Sequence, residues 1–216
     1  RAQYVLSLAY FHGEGVEPNP EQALYWCRKA AEQGFAEAQF NLGISYTDGN
    51  CGTQNIEQAT YWYTKAAEQG HVGAQFNLGV GYTNDIWGIQ DFEQAAYWYK
   101  KAAEQGHAEA QYFLGAFYAN GNGVECDIEQ AAYWWQKAAE QGHADAQCSL
   151  GVYYAEGLGV EIDMDEALRL YQLSAAQKNE YAEYNLGECY ELGKGVEKDL
   201  EQAIHWYTLS AEQGYE

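Results

Sequence analysis

The residues best equipped for chemistry in this 216-residue chain are its five cysteines, five histidines and 32 acidic side chains. Zinc or thiol redox chemistry needs paired thiols such as Cys-x-x-Cys. Cys27, Cys51, Cys126, Cys148 and Cys189 contain no such pair, and their number is odd. Five free thiols and no disulfide are therefore expected. His71, His107 and His143 lie 36 residues apart. One step of a stacked helical array is about 10 Å, whereas zinc ligands sit about 2 Å from a common centre. These three histidines cannot share a metal, and a place in the turn between repeats is expected for them. His12 and His205 have no nucleophile near them in sequence. Carboxylates are frequent enough that a close pair would arise by chance. Gly13-Glu14-Gly15 follows no strand, so it is not a phosphate loop. No constellation demands an enzyme, a metal or a cofactor.

The charge narrows the partners. Eleven basic residues against 32 acidic ones leave a net charge of −21. Nucleic acid and anionic membrane surfaces both require a basic face, so neither is expected as a partner. A hydrophobic content of 47% is too high for a disordered acidic chain, so the charge sits on a folded body. No run of about 18 apolar residues is present to insert into a bilayer. The chain starts at Arg1, not Met, and is expected to be a segment of a longer protein. Its odd cysteines lean toward a reducing cytoplasm, with a bacterial envelope or secreted location open if a leader has been removed.

What positions these residues is a period. Ala-Glu-Gln-Gly ends at Gly34, Gly70, Gly106, Gly142 and Gly214; Ala-Gln-aromatic-x-Leu-Gly ends at Gly43, Gly79 and Gly115, with a variant at Gly151. Both strings keep a 36-residue phase, giving units 1–36, 37–72, 73–108, 109–144, 145–180 and 181–216. Such a period marks an array, so residues 1–216 are read as a single repeat domain. In unit 109–144, Ala110, Leu114 and Tyr118 share a stripe that predicts a first helix over 109–120. Gly115 costs helix propensity there and is read as letting two helix backbones approach. Gly121-Asn122-Gly123 turns the chain. Asp127 with Gln130 forms a capping box for a second helix, repeated at Asn19/Gln22, Asn55/Gln58, Asp91/Gln94, Asp163/Glu166 and Asp199/Gln202. Gly142 closes that helix in a left-handed conformation. Trp26, Trp62, Trp98, Trp134 and Trp206 share one repeat position and are read as core.

These motifs resemble a known family. Leu150-Gly151, Tyr154, Gly157 and Gly159-Val160, followed by Ala131, Trp134 and Lys137 to Gly142 in the other helix type, are similar to the Sel-one-like repeat (SLR), a relative of the tetratricopeptide repeat. The resemblance covers the whole chain. It implies an all-α fold, a right-handed α/α solenoid superhelix of six 36-residue helix–turn–helix repeats, with the first helix of each pair on the concave side. It also implies an adaptor or scaffold without catalysis. Three departures stand out: residues 49–53 and 85–89 lose the Gly-x-Gly-Val turn, and Gln177-Lys178-Asn179 replaces Glu-Gln-Gly. Lys178 or Asn179 must then take the left-handed position, which Asn tolerates better than Lys.

The remaining surface is the inner face. At repeat position 4 stand Phe40, Phe76, Tyr112 and Tyr184; at position 5 stand Asn41, Asn77 and Asn185; at position 12 stand Asp48, Asn84 and Asn120. An aromatic column beside amides suits an extended peptide, because asparagine both donates and accepts. Tetratricopeptide repeats use the corresponding asparagine on a peptide backbone, which the resemblance extends to Asn41 and Asn77. The alternative is that the aromatics pack between first helices and the asparagines tie repeats together. Acidic inner residues favour a neutral or basic protein or peptide partner. Trp87, in an irregular turn, is a further contact candidate. Two other readings stay open: a hydrolase or β-lactam-binding enzyme of the same family, and a structural spacer that self-associates end to end.

Overall fold

Each helix starts where a side chain can take the place of a missing backbone partner. The computed structural model describes residues 1–49, 54–86 and 88–214, and among these it holds twelve helices and no strand. The chain divides into two compact units, residues 1–105 and 106–216. The first unit contains α1 (Ala2–His12), α2 (Pro20–Glu32), α3 (Ala36–Thr47), α4 (Ile56–Glu68), α5 (Val72–Thr83) and α6 (Phe92–Glu104). Asn19, Asn55 and Asp91 each accept from the N–H three residues on, at 3.0 Å, and so open α2, α4 and α6. The other half of the expected capping box is spent differently. The N–H groups of Asn19, Asn55 and Asp91 donate to the carbonyls of Tyr10, Tyr46 and Tyr82, at 2.9, 3.0 and 3.1 Å. This bond closes the loop of each pair and clamps the first helix to the start of the second.

The second unit repeats the design in α7 (Ala108–Asn120), α8 (Ile128–Glu140), α9 (Ala144–Glu156), α10 (Met164–Ala175), α11 (Glu180–Leu192) and α12 (Leu200–Glu212). Within each unit every helix packs against the next one in the chain. The stripe of small and medium residues expected on the first helices is the centre of this packing. Ala38, Leu42, Ala74 and Leu78 in one unit, and Ala110, Leu114, Ala146, Leu150, Ala182 and Leu186 in the other, are buried. Each such leucine contributes about 1.5–3 kcal/mol by leaving water. The tyrosines at the third point of the stripe, such as Tyr118 and Tyr154, are only half-buried. Trp134 is buried, while Trp26, Trp62, Trp98 and Trp206 are half-buried.

The glycine of Leu-Gly has a different role from the one its sequence suggests. An aromatic ring of the following helix lies against it. A Cβ at Gly43, Gly79, Gly115, Gly151 or Gly187 would sit 2.5–2.6 Å from the ring of Tyr63, Tyr99, Trp135, Tyr171 or Tyr207, respectively. No real side chain fits at that distance, so the missing Cβ is what admits the ring.

The helix ends explain a second set of glycines. Gly142 has φ +87°, and Gly34, Gly70 and Gly106 behave alike. Where glycine is absent, Lys178 takes the left-handed position at φ +64°. Asn179 stays extended at φ −82° and opens α11 by accepting from Ala182. A left-handed residue with a Cβ is strained by about 1 kcal/mol or more. Lys178→Gly is expected to raise the stability of the chain by about 1 kcal/mol, read as a shift in the urea midpoint with an unchanged slope.

Candidate functional site

The first helices carry the expected face, and three kinds of bond hold it. The first is a histidine cap. His71, His107 and His143 accept through Nδ1 from the N–H groups of Ala74, Ala110 and Ala146, at 3.2, 3.2 and 3.3 Å. An accepting Nδ1 requires the neutral imidazole with its proton on Nε2. The rings also stack on the position-4 aromatics, His71 on Phe40 at 4.3 Å and His143 on Tyr112 at 4.8 Å between centroids. Burial holds the His71 and His107 pKa values below the usual range, against the opposing pull of Glu37 on His71 and Glu109 on His107.

The second is an amide relay invisible at the level of periodicity. Gln39 and Gln75 are buried in the first unit, and Gln147 is buried in the second. Each donates from Nε2 to the carbonyl of the preceding second helix: Gln39 to Ala31, Gln75 to Ala67 and Gln147 to Ala139. Each also accepts from a glutamine at the end of its own second helix. Gln69 donates to Gln39 at 2.6 Å, Gln105 to Gln75 at 2.7 Å and Gln177 to Gln147 at 3.0 Å. One side chain thus joins three helices. The signal in the sequence is the pairing of a recurring Gln beside the buried alanine with the Gln at the end of the second helix. In the last repeat Glu183 replaces the buried glutamine and accepts from Gln213.

The third kind of bond occupies the asparagines. Asn41 donates from Nδ2 to the hydroxyl of Tyr4 at 3.0 Å, and Asn185 donates to Cys148 Sγ at 3.6 Å. The Asn77 side chain bonds to Tyr63. Asn84 and Asn120 are exposed and turn back to the carbonyls of Val80 and Ala116. Asp48 is exposed at the end of α3. Phe40 and Phe76 are half-buried against Tyr63 and Tyr99, Tyr112 is half-buried, and Tyr184 is exposed beside Tyr207. These bonds join Asn41, Asn77 and Asn185 to the repeat before, while Asp48, Asn84 and Asn120 are each exposed. Trp87 and Cys51 lie outside the described residues.

The chemistry of the thiols is muted. Cys27, Cys126, Cys148 and Cys189 are unbridged. Burial pushes the Cys148 thiol up to about 12 and raises that of Cys189, which suppresses the reactive thiolate. Among the described residues no group of three His, Cys, Asp or Glu could hold a metal ion, and no helix is long and apolar enough to cross a membrane.

Two titrations follow from the buried groups. The folded state disfavours protonated His71 and His107, so the unfolded chain binds more protons below the ordinary histidine pKa of about 6.5. Stability is full above that pH and falls as acid is added. His71→Asn with His107→Asn keeps both caps, as Asn179 does, and is expected to flatten the thermal midpoint between pH 7 and pH 5.5 relative to the unaltered chain. Glu183 has the opposite sign. Burial raises its pKa, so its contribution is best in acid and worsens as pH rises through the folded-state value. Glu183→Gln is expected to raise the thermal midpoint at pH 7, with a smaller gain at pH 4, measured by circular dichroism.

Known proteins repeat this arrangement. A family described as the Sel1 repeat matches residues 1–35, 36–71, 72–107, 108–143, 144–179 and 180–215. A protective antigen of uropathogenic Escherichia coli, displaying an SLR fold, is similar at 38% identity and a TM-score of 0.90, over 99% of this chain and 46% of its own. A Sel1 repeat protein of Oxalobacter formigenes is similar at 34% identity and a TM-score of 0.81, over 100% of this chain and 62% of its own. The chain thus spans about half to three fifths of the length of these two relatives. A comparison with curated protein sequences yields no match.

Proposed function

Because the chain belongs to the Sel1 repeat family, whose solenoid fold is commonly used in protein–protein interaction, we propose that it is a non-catalytic module that binds a neutral or basic peptide along the exposed edge of its first helices. In the first unit that edge includes Asp48 and Asn84, which cap the C-terminal ends of α3 and α5, the helices that carry the half-buried rings of Phe40 and Phe76. The observation that carries the reading is the division of labour across the face. Asn41 and Asn77 are held by Tyr4 and Tyr63, so they are fixed in direction, and Asp48 and Asn84 are left facing solvent. A rigid edge loses little entropy when it binds. Acidic groups on it attract cationic partners and repel acidic ones. Burial raises the pKa values of the Cys148 and Cys189 thiols, away from the reactive thiolate, and His71, His107 and His143 are engaged as helix caps.

Selection of a displayed random decapeptide library on the intact chain tests this. Enriched peptides are expected to carry net positive charge. Asp48→Lys with Asn84→Lys is expected to weaken the enriched peptides about tenfold through lost charge complementarity, with thermal stability unchanged. Enrichment of acidic peptides, or equal binding to the variant, would sink the proposal.

A further inference from the structure

The first repeat breaks the rule that a ring covers the glycine. In the second repeat Tyr63 lies on Gly43, its hydroxyl meets Thr47 Oγ1 at 3.3 Å, and the Asn77 side chain also bonds to it. One period earlier the equivalents of Tyr63, Gly43, Thr47 and Asn77 are Cys27, Ser7, Phe11 and Asn41. The exchange is paired: as the ring shrinks to a thiol, the glycine gains a side chain. The exchange does not conserve volume. A cavity of about 430 Å³ lies between α1, α2 and α3, and all four equivalents line it. Its size falls in the range of small-ligand pockets.

We propose that this cavity is an anchor pocket for the side chain of a tyrosine in a basic peptide. The pocket stands beside the place where the other repeats of the unit lay a tyrosine of their own, and Ser7 in place of the glycine holds an entering ring off the helix backbone. Leu24 adds apolar surface to that wall. Phe11 is 68% exposed and offers a ring edge at the mouth. Asn41 stands where Asn77 stands for the Tyr63 hydroxyl. The charge of the peptide follows from Asp48, the acidic group of the lining, which contains no Lys or Arg among its described residues. His12 also lines the cavity. The pocket rests on the peptide-binding reading of this face and supplies it with an anchor residue.

The test titrates acetyl-Gly-Lys-Tyr-Lys-Gly-amide, and the same peptide with Ala for Tyr, into the intact chain by calorimetry and NMR. The tyrosine peptide is expected to bind about tenfold more tightly, the loss typical of removing a buried aromatic anchor. Ser7→Gly with Cys27→Tyr rebuilds the missing ring. It is expected to raise the thermal midpoint and to abolish the preference for tyrosine. The milder Cys27→Met fills the space with an unbranched chain and is expected to abolish the preference too, should the double variant not fold. Equal binding of the two peptides to the unaltered chain, or a tyrosine preference that survives filling, overturns the pocket. Library peptides that bind through Asp48 and Asn84 without such a preference would leave the wider reading standing and refute the pocket alone.

Discussion

A ring lying against a glycine sets how the two helices meet in five of the six repeats. It is tight enough that a single Cβ would collide with it, at 2.5–2.6 Å in five of the repeats. Protein interiors at crystal-like density transmit such demands to their neighbours. The ring fixes how the second helix lies on the first. That in turn fixes where the N-cap N–H meets the tyrosine carbonyl one loop earlier, and where the glutamine reaches the helix before it. Loop bond, relay and cap all presuppose the same helix spacing. A repeat fold of this kind gains stability mainly from neighbour to neighbour, and the glycine contact sets the distance at which neighbours meet.

How much of this is legible beforehand depends on the range of the interaction. Caps, turns and left-handed residues obey local backbone rules, so Asn55, Asp127, Gly142 and the strain at Lys178 can be read from a few adjacent letters. The relay and the ring contact join residues far apart in sequence, such as Gln69 with Gln39 and Tyr63 with Gly43. A period shows that these residues recur together, but not that they touch. The same limit applies to the candidate face. The asparagine column stands out by composition, yet the partner of Asn41 is Tyr4, in the preceding repeat. Only the packed helices show the bond that this amide makes.

Deviations from the repeat are more informative than the repeat itself. Ser7 with Cys27 changes both sides of one contact, and Lys178 with Asn179 takes over the left-handed position and the helix cap that Gly142 and His143 hold one repeat earlier. Glu183 places a carboxylate where a neutral amide serves elsewhere. The first change is matched by a cavity, the second by a strained backbone, the third by a raised pKa. Sequence drift that leaves a physical trace of this kind marks where a copied scaffold has acquired individual properties.

The amide relay has a consequence for ionic strength. The chain carries a net charge of −21, yet the side chains that rivet its helices are mostly uncharged glutamines. Salt screens exposed charges within about 10 Å at 0.1 M and leaves neutral hydrogen bonds almost untouched. Added electrolyte therefore relieves the self-repulsion of the acidic surface without loosening the joints beneath it. A stack joined by ion pairs would trade one effect against the other. Here the two are separated, so the acidic coat can vary without cost to the frame that displays it.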